Sequence, residues 1–199
     1  MFPKHIHPTA FILSIFFTVV GSFGGQTKKQ IGEITIEGAN TFTSSELLRV
    51  AGITPKQHLS PGTDESIVNR IKRAYRERGF VQANVSLSQE SDAPKSSGMK
   101  TVVNIKIAID EGAAYHIRRT EVMGNETTNH NVVMRAAGLR PGEPYDPDRI
   151  ARWVEGLSRL GRFYPVKRED IEIQVNDDEY FADVLFHLKE KPGLKGRRH

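Results

Sequence analysis

Alternating apolar and polar residues show that the chain contains the same structural unit twice. Residues 34–40 and 120–125 both alternate and then end in a turn with glycine, which predicts the first strand of each unit. Two more alternating segments close each unit, at 83–87 and 102–109 in the first and at 171–175 and 181–188 in the second. This order of segments, repeated once, indicates a tandem duplication.

Two amphipathic helices are predicted between the first and second strands of each unit. In the first unit Thr43 and Glu46 have the spacing of a capping box. Ile67, Ile71 and Tyr75 then recur every four residues and predict the buried side of the second helix. The corresponding apolar stripe in the second unit consists of Ile150, Trp153, Val154, Leu157 and Leu160.

The starts of the other three helices are indicated by short polar residues that can accept hydrogen bonds from free backbone N–H groups. Thr63 or Asp64 is expected to cap the second helix, and Thr128 or Asn129 the third. Asp146 is expected to cap the fourth helix, since a proline follows it at the first helical position.

The fold class that follows is α+β, with two tandem β-α-α-β-β modules. Each module is a three-stranded mixed sheet covered on one face by two antiparallel helices. The segment 89–100 is rich in Ser, Asp and Pro and is expected to be a mobile hairpin loop. The expected divisions are a signal peptide at 1–25, module one at 31–112, module two at 113–192 and a basic C-terminal tail at 193–199.

The N-terminus has the pattern of a secretory signal peptide, with Lys4, an apolar run at 10–20 and small residues at 21–25. The apolar run has about 11 residues, whereas a membrane span needs about 20. Cleavage and export are therefore expected, and an uncleaved membrane anchor is the alternative.

Composition narrows the classes of function. The absence of Cys excludes disulfides, thiol catalysis and cysteine-ligated metals. The net charge of +4 is too small to attract nucleic acid strongly. The strands are aliphatic except for Phe181 and Phe186 in the last one, so they offer few aromatic side chains for stacking on RNA bases. We find no nucleophile–base pair, phosphate loop or metal-ligand spacing, so we expect no enzyme activity, cofactor, metal site or nucleic-acid partner.

Three segments of the second unit resemble the POTRA (polypeptide-transport-associated) domain family. They are Gly-Glu-Pro-Tyr-Asp-Pro at 142–147, Arg-Leu-Gly-Arg-Phe-Tyr at 159–164 and the final strand with its following Lys-Glu at 183–190. Together with the order of elements, the resemblance covers residues 31–192 as two modules. In this family such modules form the periplasmic arms of outer-membrane assembly factors of the BamA and TamA type and of two-partner secretion transporters.

The resemblance implies a periplasmic, protein-binding scaffold in outer-membrane protein assembly or secretion. The implied partners are unfolded outer-membrane or secreted client proteins, and a separate β-barrel protein or lipoprotein at the outer membrane. The sequence after Leu188 is too short for the many strands of a transmembrane barrel. We therefore expect a stand-alone arm, an auxiliary subunit or a truncated piece of a longer protein. The alternative is a division or envelope-structural protein of the FtsQ type, held by an uncleaved anchor.

The resemblance also places the third strand of each module in the centre of the sheet, which leaves the second strand at an edge. An extended peptide can add to such an edge through main-chain hydrogen bonds. Neither edge contains Pro, Lys or Arg, the residues that usually protect one, although Glu172 interrupts the second. The alternative is that a neighbouring domain or the loop 89–100 covers the edge. The candidate residues are Val81, Gln82, Ala83, Asn84, Val85, Ser86 and Leu87 in module one and Ile171, Ile173 and Val175 in module two.

A second candidate surface is basic. Arg70, Arg73 and Arg76 lie on the second helix, on the side opposite to its apolar stripe, together with Lys72 and Arg78. The simplest interpretation is a solvated helix face, and the alternative is a docking surface for an acidic partner.

Overall fold

The computed structural model of the chain describes residues 28–91 and 100–192. The predicted signal peptide at 1–25, most of the predicted loop at 89–100 and the basic tail at 193–199 lie outside the described residues.

Module one is a mixed sheet with two helices on one face. Its strand order is β2-β1-β4-β3, in which β1 is parallel to β4 and β3 is antiparallel to it. The prediction of a central third strand is thus confirmed in β4. The elements are β1 (Lys28–Glu37), α1 (Ser44–Ala51), β2 (His58–Leu59), α2 (Thr63–Arg76), β3 (Asn84–Ser91) and β4 (Lys100–Asp110).

Module two repeats this plan with the strand order β5-β7-β6, again with a parallel and an antiparallel pair. Short 3₁₀ turns precede α4, at Pro147–Arg149, and β6, at Arg168–Asp170. The α+β class and the duplication are confirmed. The elements are β5 (His116–Met123), α3 (His130–Ala137), α4 (Ile150–Arg159), β6 (Ile171–Asn176) and β7 (Phe181–His187).

The sheet of module one has one more strand than predicted, and its first strand starts earlier. β2 has two residues, too few to give a pattern, and it pairs antiparallel with β1. The N–H of Ile31 also donates to the carbonyl oxygen of Gln57 at 2.8 Å. β1 begins at Lys28 rather than at residue 34 because a register shift between Ile31 and Ile34 breaks the alternation.

The predicted helix caps are confirmed at three of the four helix starts. Thr43 and Glu46 form both hydrogen bonds of the capping box, Asn129 caps α3 and Asp146 caps the turn that leads into α4. The prediction for α2 is wrong. Gly62 occupies the cap position there, and the hydroxyl of Thr63 donates to the carbonyl oxygen of Ser60 at 2.6 Å instead.

Each module has its own hydrophobic core between helices and sheet. Ile67, Ile71 and Tyr75 are fully buried in module one, as the periodicity of α2 predicts. Trp153 is buried in module two and packs edge-on against Phe186, with 6.5 Å between the ring centroids. Each module thus has the core of its own that is expected of a domain.

A carboxylate that follows the last strand holds the loop after the first strand in module one. Glu111 accepts hydrogen bonds from the N–H groups of Asn40 and Thr41 at 2.7 and 2.8 Å, and from the hydroxyls of Thr41 and Tyr75, both at 2.9 Å. Burial by itself would raise the pKa of Glu111, but these hydrogen bonds outweigh it and lower the pKa.

Glu190 has the same role in module two. It accepts from the N–H groups of Thr127 and Thr128 at 2.8 and 3.2 Å, and from both of their hydroxyls. These hydrogen bonds, with those of Thr127 the strongest, lower the pKa of Glu190 to about 2. Both modules therefore close their first loop with an ionised glutamate.

Candidate functional site at two open sheet edges

The outer edge of module one is formed by β3. Within the described residues it pairs only with β4, at the end of the strand order. Its side chains alternate, since Val85 is 4% exposed and Leu87 is half-buried, whereas Asn84, Ser86 and Ser88 are exposed. Neither Pro nor Lys nor Arg occurs in Asn84–Ser91. The outer side of β3 is thus the longest run of unprotected backbone N–H and C=O groups at an edge of this module.

The bounds predicted for this edge are wrong at both ends. β3 starts at Asn84 rather than at Val81 and continues to Ser91. Val81, Gln82 and Ala83 lie in turns that follow α2, in which the N–H of Val81 donates to the carbonyl oxygen of Gly79 at 2.9 Å. Val81 packs against the core of module two instead of belonging to the edge.

The outer edge of module two is formed by β6, which pairs only with β7 in the described part of the chain. Burial decreases along it, from Ile171, which is buried, through Ile173 to Val175, which is 47% exposed. Glu172 lies 3.3 Å from Nε2 of His187. Hydrogen bonds from Gln174 and then from His187 lower the pKa of Glu172. This edge is shorter than β3 and ends in an exposed apolar residue.

The opposite edge of each sheet is partly covered by its own chain. In module one β2 covers the start of β1. In module two the segment before the 3₁₀ turn takes the same position. The N–H of Ile117 donates there to the carbonyl oxygen of Glu143 at 2.8 Å, and the N–H of Gly142 donates to that of Ile117 at 2.6 Å. Sequence reasoning did not predict these two covering segments. Because they cover the opposite edges, β3 and β6 are the edges whose outer side is open along their full described length.

The arginines of α2 do not form one uniform surface. Arg70 and Arg73 are exposed, and Nε of Arg70 donates to the carbonyl oxygen of Ser66 at 3.2 Å. Arg76 is half-buried and forms an ion pair with Asp148 of module two, with 3.0 Å between Nε and Oδ2. Arg78 lies over the ring of Phe42, at 3.6 Å from its centroid. The helix face opposite the apolar stripe is therefore exposed at Arg70 and Arg73 but contributes Arg76 to the contact between modules.

The two modules meet at Tyr115, in the connector between β4 and β5. Its side chain is 1% exposed. Its hydroxyl donates to Oδ1 of Asp177 at 2.6 Å and accepts from Nε2 of Gln82 at 2.8 Å. Its N–H donates to the carbonyl oxygen of Gly79 at 2.9 Å. The hydrogen bond to Asp177, together with burial, raises the pKa of Tyr115 to about 12.

We call this contact, formed by Gly79, Val81, Gln82, Tyr115 and Asp177, the junction. Sequence reasoning missed it, because Tyr115 belongs to no alternating or helical pattern. The available signal was a large aromatic residue next to glycine and alanines in a short connector. Local sequence does not reveal the partners of Tyr115, because they are far away along the chain. Gly79 lies 36 residues before it and Asp177 lies 62 residues after it.

Comparison with known families identifies the repeated unit. The model of the POTRA family, described as a surface antigen variable number repeat, matches residues 29–112 and 115–191. The chain belongs to the POTRA family. The two matched ranges correspond to the two modules, so both open edges lie in POTRA domains.

Curated proteins that resemble this POTRA chain are much longer than it. The outer membrane protein assembly factor BamA of Neisseria meningitidis serogroup B is 21% identical over 161 residues, which cover 80% of this chain and 19% of that protein. BamA of Nitratidesulfovibrio vulgaris is 22% identical over 166 residues, which cover 81% of this chain and 20% of that protein. The chain thus spans about a fifth of the length of these relatives.

Solved structures with the same fold include other tandem POTRA domains. BamA from Haemophilus ducreyi lacking POTRA domains 1–3 matches with a TM-score of 0.59 and 20% identity, over 81% of this chain and 29% of that one. POTRA domains 3–5 of BamA from Haemophilus influenzae match with a TM-score of 0.52 and 20% identity, over 81% and 61% of the two chains. At this level of identity the likeness shows a shared fold.

Residues 28–91 and 100–192 contain no group of three or more His, Asp or Glu side chains placed to hold a metal ion. The same residues contain no helix that is long and apolar enough to span a membrane.

Proposed function

We propose that this POTRA chain is a periplasmic protein-binding scaffold in outer-membrane protein assembly or secretion, which captures extended segments of other proteins at β3 and β6. The relatives named as outer membrane protein assembly factors support the assembly role and its connection with the outer membrane. The clients of this scaffold are unfolded outer-membrane or secreted proteins. A β-barrel protein or a lipoprotein of the outer membrane is its second partner.

The observation that carries the proposal is the outer side of β3. Eight consecutive residues form an edge strand without Pro, Lys or Arg, although folded proteins usually protect such a strand with one of these. Main-chain hydrogen bonds to an added strand depend little on the sequence of that strand. An edge of this kind suits a scaffold that must receive many different unfolded clients.

The exposed arginines of α2 supply a second contact in this proposal. Arg70 and Arg73 face solvent and would attract an acidic partner, whereas Arg76 already pairs with Asp148. Charge reversal of Arg73 to Glu should slow association with an acidic partner and reduce its dependence on salt. Unchanged kinetics would restrict binding to the sheet edges.

The experiment for strand capture uses a matched pair of proline variants in the full chain. Successive residues of a strand direct their N–H groups to opposite neighbours. One of Leu87→Pro and Ser88→Pro therefore removes an N–H on the open side, and the other breaks the pairing with β4. Both positions are less buried than Val85, so the loss of core packing is smaller. Thermal unfolding identifies which variant keeps the native sheet.

The variant that keeps its thermal stability should bind a fluorescent peptide from an outer-membrane strand at least about 10-fold more weakly than the parent, because an edge donor is lost. A second arm leaves the protein unchanged and uses the same peptide with N-methyl groups at alternate residues, which cannot donate to the edge. Equal affinity for the methylated and unmethylated peptides would rule out strand addition, whatever the stability of the variants.

A further inference from the structure

The junction brings the ends of the two open strands together. Asp177 directly follows β6, and Gln82 lies two residues before β3. Nε2 of Gln82 is 3.4 Å from Oδ1 of Asp177, and both atoms bond to the hydroxyl of Tyr115. The last residue of one edge and the first residue of the other are therefore separated by little more than two side chains.

The two strands also run in the same sense through the junction. β6 ends there at Asn176, and β3 begins there at Asn84 and leads away from it. A segment paired antiparallel with β3 would therefore reach the junction with the polarity that antiparallel pairing with β6 requires. Two edges joined head to head, or tail to tail, would require the segment to reverse its direction.

The chemistry along both edges is similar. Neither strand contains Lys or Arg, whereas Glu90 lies near the end of β3, Glu172 lies in β6 and Asp177 lies at the junction. Val175 is exposed where β6 reaches the junction, and Tyr180 is 46% exposed beside Tyr115. An occupant that complements these edges carries basic residues, alternates polar with apolar ones and has an apolar residue near its middle.

Resting on the proposed strand capture, we propose that β6 and β3 form one composite edge that binds a single extended, basic, alternating segment across both modules. β6 has 6 residues and β3 has 8. With the junction included, the occupant has about 17 residues and a length on the order of 55 Å at about 3.3 Å per residue. The junction fixes the spacing of the two halves of this site.

The test uses a 17-residue peptide in which Val alternates with Lys or Thr. Two 8-residue peptides correspond to its N-terminal and C-terminal ends, and all three peptides carry a fluorophore. Binding to the full chain is measured by fluorescence anisotropy. The 17-residue peptide should bind at least about 10-fold more tightly than either half, since its second contact forms within a complex that already exists. Tyr115→Phe, which removes the hydroxyl shared by Gln82 and Asp177, should reduce this advantage and leave the halves unchanged.

Val175→Lys should lower the affinity for the 17-residue peptide about 10-fold, to that of an 8-residue half. Its matched control is Val102→Lys, which adds the same charge at a similarly exposed valine of the central strand β4. Equal effects of the two variants would attribute the loss to charge and overturn the composite edge. A parent chain that binds the 17-residue peptide no better than a half would also overturn it but leave capture at single edges standing. If none of the three peptides binds, the proposed function itself fails.

Discussion

Gly79 of module one and Gly161 of module two follow the second helix of their modules, yet their surroundings differ. Both have a positive φ, at +90° and +66°. A Cβ added at Gly79 would lie 2.3 Å from the carbonyl oxygen of Tyr115, whereas nothing lies within 4 Å of one added at Gly161. The same turn thus serves as a site of contact with a neighbour in one module and as a free surface turn in the other.

The glutamates that hold the first loop of each module, which we call the glutamate clamps, show a second difference between the modules. Glu111 is 9% exposed and takes an additional hydrogen bond from Tyr75 of α2, whereas Leu157 occupies the corresponding place in α4. Glu190 is more exposed and depends on two threonines. Module one has therefore made its clamp part of the core, and module two keeps it near the surface.

The largest expected effect comes from the paired substitutions Gly79→Ala and Gly161→Ala. Gly161→Ala should lower the free energy of unfolding by about 1 kcal/mol, since only the positive φ opposes the new side chain. Gly79→Ala should lower it by more than about 3 kcal/mol, because the methyl group also overlaps the backbone of Tyr115. Urea denaturation of both variants measures the difference. Equal losses would show that the contact at Gly79 is not tight in solution.

Glu111→Ala should destabilise module one by about 2–3 kcal/mol, because it leaves two partly buried N–H groups and the buried hydroxyl of Tyr75 without their acceptor. Glu111→Gln keeps an acceptor oxygen and should cost less. Urea denaturation measures the loss of stability. Hydrogen exchange of the backbone amides in module one shows whether the loss is confined to that module. Similar stability of the Ala variant and the parent would contradict the role of the clamp.

Tyr75→Phe removes one of the four hydrogen bonds to Glu111 and should cost about 1 kcal/mol. The matched control is Tyr164→Phe, since Tyr164 is 44% exposed and should lose almost nothing. A loss of the same size at Tyr164 would show that the hydrogen bond from Tyr75 to Glu111 does not stabilise the protein.

The smallest effect concerns the dependence of stability on pH. Glu190 has its pKa lowered from the ordinary 4.5 to about 2. The folded state therefore binds its proton less readily than the unfolded state. The stabilisation by Glu190 is complete above pH 4.5 and is lost as the pH falls through 4.5 towards 2. Unfolding of the parent and of Glu190→Gln, followed from pH 6 to pH 2, should differ most at pH 6 and converge at low pH. Parallel curves would contradict this assignment.

Local patterns predicted the elements that depend on neighbouring residues. The capping box at Thr43 and the apolar stripe of α2 follow from spacings of three and four residues. The alternation of β4 and β7 likewise predicted these two strands, whereas their place in the centre of each sheet was expected from the resemblance to the POTRA family. These features repeat within one turn or one strand, so sequence is sufficient for them.

Features that depend on distant contacts could not be predicted in this way. β2 exists because its two residues reach β1, and Val81 leaves the edge because module two packs against it. Gly62 replaced the expected caps at Thr63 and Asp64, since the hydroxyl of Thr63 bonds backwards to Ser60. In each case a tertiary or competing contact decided between local alternatives of similar energy.

The pairing of β1 with β4 sets an order of events as the chain emerges, N-terminus first, into the compartment where it folds. Lys28 pairs with Lys100 and Glu37 with Ala108, so the sheet of module one cannot close until Asp110 has emerged. Pairing between strands so far apart in sequence is slow to form. Tyr115 emerges only five residues after that point. The first module can therefore complete its sheet before the second has any strand to offer, and the order of emergence alone separates the two folding steps.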